Sequence, residues 1–246
     1  MIARVLESIK DFFQTLPLWT KTVTWIALFI QLMSFTGFPT SYLALSWKNV
    51  FHKFLFFEVY TYVFLHVSLL HIIFNFASLL PLMAKFEKEH GTFACIFITM
   101  VPYTLFPALV HLVAYRFMFL KESISIAGFS GWAFAFISAT CVHNPEGPFQ
   151  NYIQKKYIPL IYLLITTIFV PYASFIGHAS GAAAGYATPY IFEHIPLKRW
   201  AEKVDSIGNR FKNYQPYDEL AYASLPIAEP GTGNPNFPGK GTRLGT

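Results

Sequence analysis

Gly128-Phe129-Ser130-Gly131, set inside an apolar stretch, decides how the rest of this chain is read. A second apolar stretch further on carries a lone histidine followed by small residues, His178-x-x-Gly181-x-x-x-Gly185. Nucleophilic and ionisable side chains are costly where hydrocarbon should surround them, and their presence there marks a functional site. The reading therefore turns on whether the surrounding stretches cross a membrane.

Composition says that they do. Of 246 residues, 54% are hydrophobic, 19% aromatic and only 13% charged, too apolar for a soluble domain of this size. The apolar runs approach the length of about 20 residues that spans hydrocarbon. They predict an all-α membrane protein with six spans, at Lys21 to Phe38, Val59 to Ala84, Thr92 to Tyr115, Ile124 to Val142, Tyr157 to Tyr172 and Ile176 to Ile195. Residues 1–20 form an interfacial lead-in with no removable leader expected, 21–195 the six-span core, and 196–246 a cytosolic tail. Between Pro39 and Glu58 the chain is aromatic and mildly basic, as befits a loop that enters the interface without crossing it. From about Tyr214 the composition turns to Pro, Gly, Asn and Ser, which predicts disorder.

Charge gives an orientation. With the N-terminus in the cytosol, the cytosolic ends collect Arg4, Lys10, Lys21, Lys85, Lys88, Lys155, Lys156, Lys198, Arg199 and Lys203, against Lys48, Lys53, Arg116 and Lys121 opposite. Both termini are then cytosolic, and Ser130 and His178 lie near the luminal ends of their helices. The net charge of +5 is accounted for by these flanking residues, so nucleic acid is not an expected partner. Cys95 and Cys141 sit in apolar segments without metal-ligand company, and neither a disulfide framework, a metal nor a cofactor is expected.

A serine hydroxyl needs a base to take its proton, and histidine is the usual base near neutral pH. Gly181 and Gly185, with alanines between them, make a face on which a second helix can approach closely, and Gly128, Gly131, Ala133 and Ala135 supply matching smallness beside Ser130. His71 and Asn75, four residues apart on the second span, project from one helix face and can aim donors at a developing oxyanion. The start of the serine's helix adds unpaired backbone N–H groups. His66, five residues before His71, would lie roughly 140° round the same helix, facing away from the centre, and is expected to be structural. His111 and His143 offer no nameable partner. Asp11, Asp205 and Asp218 all lie outside the spans, and Glu87 falls roughly 24 Å beyond His71 along the helix. No carboxylate reaches His178, so a Ser130/His178 dyad is expected rather than a triad. The same absence argues against an aspartyl protease, and the zinc signature His-Glu-x-x-His is missing.

These residues resemble the rhomboid family of intramembrane serine proteases. The motifs are His66-x4-His71-x3-Asn75, Glu87-x3-Gly91, Gly128-Phe129-Ser130-Gly131 and His178-x2-Gly181-x3-Gly185, in that order. The resemblance implies a six-helix rhomboid bundle, Ser130 as nucleophile, His178 as general base, and an oxyanion hole from His71, Asn75 and the Ser130 backbone N–H. It implies transmembrane protein substrates in a lipid bilayer. Two features depart from the family pattern. Phe134 stands where many members carry a tyrosine that stacks on the catalytic histidine, and the Trp-Arg pair common in the first luminal loop is missing, since Trp47-Lys48 lies far upstream of His66.

In the tail, Phe237-x-Gly239-x-Gly241-x-x-Leu244 resembles the SHP box that binds the valosin-containing-protein type of AAA ATPase, with Phe237 and Leu244 as apolar anchors and Gly239 and Gly241 allowing close approach. Core and tail together resemble the fungal Golgi rhomboids, whose implied substrates include precursors of sterol-regulatory transcription factors. The Golgi membrane is the expected location, with the endoplasmic reticulum the second candidate. A non-catalytic, derlin-type adaptor is the competing reading, and intact Ser130, His178, His71 and Asn75 weigh against it. A transporter would call for broken helices or repeated halves.

Overall fold

The computed structural model describes residues 10–143, 154–170, 173–197, 199–200 and 202–204. The tail motif from Phe237 to Leu244 and the first nine residues lie outside them. The longer helices of the described chain are α1 (Leu18–Phe35), α2 (Leu69–His90), α3 (Thr92–Met118), α4 (Ser130–His143), α5 (Ile158–Phe169), α6 (Phe175–Tyr186) and α7 (Thr188–His194). The first three are long and apolar enough to cross a membrane, and α4 is a shorter apolar helix. Large apolar side chains such as Phe29, Phe74, Leu109 and Ile168 face outward, as expected where hydrocarbon is the solvent. The phenylalanines are not all of that kind: Phe129 and Phe136 are fully buried beside Trp132 and Tyr103.

Helix ends depart from the predicted spans where local chemistry overrides the apolar run. The second span was predicted from Val59, yet α2 starts at Leu69, because Ser68 is extended and its hydroxyl accepts the His71 N–H as an N-cap. The chain before it folds as separate turns, Glu58–Thr61 and Tyr62–Phe64. The fourth span was predicted from Ile124, yet the chain is extended there and α4 begins at Ser130. Leu45 and Ile126 exchange backbone hydrogen bonds of 3.1 and 3.0 Å, so this stretch pairs with the first loop instead of coiling. In the sixth span the helix breaks at Ala187, with Pro189 in the first turn of α7.

Two polar knots hold the helices in register. At one end, the buried Glu87 carboxylate accepts the Trp19 and Thr20 N–H groups at 2.7 Å each, together with the Thr20 and Thr92 hydroxyls. A side chain of α2 thereby caps the N-terminus of α1, whose own N-cap, Pro17, makes no side-chain cap bond. Gly91, four residues on, ends α2 and opens α3. The second knot is a π-turn in α3 at Val101–Leu105, which contains Pro102. Here the Thr104 hydroxyl donates to the Thr99 carbonyl (2.7 Å) and receives Trp132 Nε1–H of α4 (2.8 Å), while Tyr62 O–H donates to the Thr104 carbonyl (3.0 Å). Helix α3, helix α4 and the first loop meet at one residue.

The first loop has its own buried acid. Glu58 is completely buried and accepts Asn49 Nδ2–H at 2.8 Å and the Ser46 N–H at 3.3 Å. Burial pushes its carboxyl above the ordinary value of 4.5, against the opposing pull of those two donors and of Lys53.

Candidate active site

Ser130 is the first residue of α4, so its backbone N–H belongs to the unpaired first turn. Gly128, two residues earlier, has a φ of 108°, a conformation that suits glycine. Its missing side chain also matters: a Cβ there would lie 2.9 Å from His71 Cε1 and 3.2 Å from His71 Nε2. The His71 ring thus rests directly on the backbone leading into Ser130. Asn75 follows one turn further along α2 and is buried. Its Nδ2 and the His71 Nδ1 are buried without hydrogen-bond partners.

His178 lies on α6, where Ser174 caps the first turn by accepting the Gly177 N–H. Helices α4 and α6 touch through backbone. A Cβ at Gly181 would meet the Gly131 carbonyl and stand 2.9 Å from its Cα, and one at Gly185 would meet the Ala135 carbonyl and stand 2.8 Å from that Cα. The His178 ring stacks on Phe134, with centroids 4.6 Å apart and planes 24° off parallel. Phe134 is one turn past Ser130, on the same face of α4. The imidazole therefore lies along the face of α4 that carries Ser130, and only 6% of His178 is exposed. No hydrogen bond joins the Ser130 hydroxyl to His178 among the described residues; such bonds are often long before substrate binds. Ser180, also on α6, spends its hydroxyl on the Ile176 and Gly177 carbonyls.

His66 does not face away from the centre. Because α2 starts only at Leu69, His66 sits on extended chain, and its ring lies 5.1 Å from that of His71 and 4.9 Å from Phe129. Its Nε2 receives the Phe129 N–H at 3.4 Å. It supports the chain entering α4. The sequence signal for this was Ser68, a capping residue just before the apolar run.

His111, read from sequence as having no partner, has one: its Nε2 lies 3.2 Å from the Ile124 carbonyl oxygen. The side chain of His143 lies outside the described residues. A tryptophan–arginine contact absent from the sequence motif is assembled in space instead, with the Arg116 guanidinium 5.8 Å over the Trp47 ring. Arg116 also pairs with Glu122 at 3.2 Å, and His52 approaches the same carboxylate at 3.4 Å. Sequence could not reveal this link, since its members come from the first loop, the end of α3 and the turn after it.

Comparison with known proteins agrees with this architecture. A family model described as Rhomboid domain matches residues 53–194. Rhomboid-type serine protease B of Aspergillus fumigatus is 26% identical over 242 residues, covering 92% of this chain and 88% of that protein. Rhomboid-type serine protease 2 of Eremothecium gossypii is 30% identical over 218 residues, covering 75% and 77%. Rhomboid-like protein 15 of Arabidopsis thaliana is 26% identical over 204 residues, covering 76% of this chain and 50% of its own length. With more than half of its length matched by that family model and most of it by rhomboid-type serine proteases, the chain belongs to the rhomboid family and is a multi-pass membrane serine protease.

Proposed function

We propose that Ser130 and His178 form the catalytic dyad, with His71, Asn75 and the Ser130 N–H receiving the oxyanion. The stack of His178 on Phe134, one turn from Ser130 on a helix in backbone contact with α6, carries this reading. Ser130 Oγ attacks the scissile carbonyl while its proton passes to His178. The charge that develops on the carbonyl oxygen falls to the three donor groups. Buried polar groups without partners, as at Asn75 Nδ2 and His71 Nδ1, are costly unless something arrives to pair with them. His178 then returns the proton to the departing amine, and a water deprotonated by the same ring releases the acyl group from Ser130.

Six crossings with both termini in the cytosol fit the distribution of basic residues, and they put the dyad near the luminal face. The substrates are transmembrane segments cut in their luminal part, with membrane-bound precursors of sterol-regulatory transcription factors among the candidates, in the Golgi membrane. The tail recruits a valosin-containing-protein type ATPase through Phe237, Gly239, Gly241 and Leu244. Replacing Phe237 and Leu244 with Ala is expected to abolish co-purification with the ATPase while leaving cleavage in liposomes intact.

The dyad is tested with purified protein in liposomes, a transmembrane substrate and a fluorophosphonate probe. Ser130→Ala and His178→Ala are expected to abolish cleavage while inserting normally, and Ser130→Ala to abolish labelling. Asn75→Ala is expected to slow cleavage by about 10²–10³-fold, the usual effect of losing one oxyanion donor. Undiminished cleavage by Ser130→Ala would sink the reading.

A further inference from the structure

The segment that delivers Ser130 leaves α3, turns, and runs extended into α4. From the side of the first loop it is held mainly by backbone pairs, with His52 at Glu122 and His66 at the Phe129 N–H beside them. The Lys48 N–H donates to the Glu122 carbonyl (3.0 Å), Leu45 and Ile126 pair, and the Gly128 N–H donates to the Tyr62 carbonyl (2.8 Å). From the side of α3 it is held at the Ile124 carbonyl by His111 Nε2 at 3.2 Å. A carbonyl only accepts, so Nε2 carries the proton in this contact. His111 is fully buried, its ring 4.5 Å from that of Tyr115. It belongs to the stretch Phe106–Val113, which packs on α6, the helix of His178. One side chain therefore ties the support of His178 to the backbone six residues before Ser130.

Simple packing does not account for a histidine here. The other ring nitrogen, Nδ1, is buried without a partner, a cost that a leucine or phenylalanine would avoid. What the imidazole adds is direction. Within 124–128 the first loop holds Ile126 and Gly128 through backbone; two points held from one element leave the segment free to turn about the line through them. The bond to Ile124 adds a hold from α3.

We propose that His111 is a positioning residue for Ser130, orienting the segment 124–128 so that α4 starts with the hydroxyl turned toward His178. The inference rests on Ser130 being the nucleophile. It is tested with the full chain in liposomes, measuring cleavage kinetics and the rate of fluorophosphonate labelling for the native protein, His111→Leu, His111→Gln and Ser130→Ala. His111→Leu lowers kcat and the labelling rate together by about 10²-fold, the loss expected from a misplacement of about 1 Å, with KM unchanged. His111→Gln, whose amide nitrogen reaches about as far as Nε2, restores most of both.

The inference is overturned if His111→Leu labels and cleaves at the native rate, if Gln does no better than Leu, or if the whole loss lies in KM. Should the Leu variant fail to insert, His111→Asn takes its place, its amide being too short to reach Ile124. Gln near native with Asn slow supports the role, and equal rates overturn it. Labelling that persists in Ser130→Ala overturns the serine assignment and the positioning role with it. A silent Ser130→Ala beside a normal His111→Leu overturns the positioning role alone.

Discussion

At Gly181 the first atom of any side chain would collide with the Gly131 backbone, because α4 and α6 touch there without side chains between them. Gly181→Ala is therefore expected to push the two helices apart, costing about 1–3 kcal/mol of stability as overpacking does. A shift of about 1 Å at the proposed dyad would also lower cleavage by about 10²-fold. Thermal unfolding and initial rates measured on one preparation check both effects, and a variant with native activity would contradict the close contact. Single residues were the most legible scale in the sequence. Gly181 and Gly185 announce themselves because a backbone contact between helices needs glycine at helical spacing, and the candidates Ser130 and His178 stand on the same two helices. His66 was misplaced because the angular argument assumed a helix running through it, whereas the Ser68 cap starts α2 later. The partner of His111 had no signature at all, since a backbone carbonyl looks the same at every position.

Between elements, the two buried carboxylates make opposite predictions. Glu87 of α2 gathers four donors from α1 and α3. Glu87→Ala is expected to cost about 4 kcal/mol or more, at about 1 kcal/mol or more for each of the four donors left unpaired, and Gln to recover part of that loss. Denaturation in detergent measures it, and an unchanged midpoint would exclude a capping role. Glu58 in the first loop behaves differently, because burial raises its carboxyl above 4.5. A folded state that holds the proton more tightly than the unfolded chain gains stability as pH falls from that raised value toward the ordinary one. The melting temperature of the native protein, relative to Glu58→Gln, is expected to rise between pH 7 and pH 5; a falling difference would contradict the assignment. Sequence revealed the apolar helices but not these knots. Hydropathy reports how apolar a segment is, and neither acid says from its position which N–H groups it will meet.

Over the whole molecule, the proposed orientation puts Ser130 and His178 toward the lumen, so cleavage is expected in the luminal part of a substrate's span. Helix-loosening Gly or Pro there should speed it and a run of Leu slow it. Mass spectrometry of the two fragments locates the cut, and a site in the cytosolic half would reverse the orientation. Along α2, Glu87 and His71 stand at opposite ends, one in a four-donor knot and the other beside the proposed dyad. The bundle is thus built like a pair of tongs: riveted where α1, α2 and α3 share one carboxylate, and working at the far tips. If the helices rock about that rivet, the displacement grows with distance along α2 and is greatest at the end that carries the proposed site.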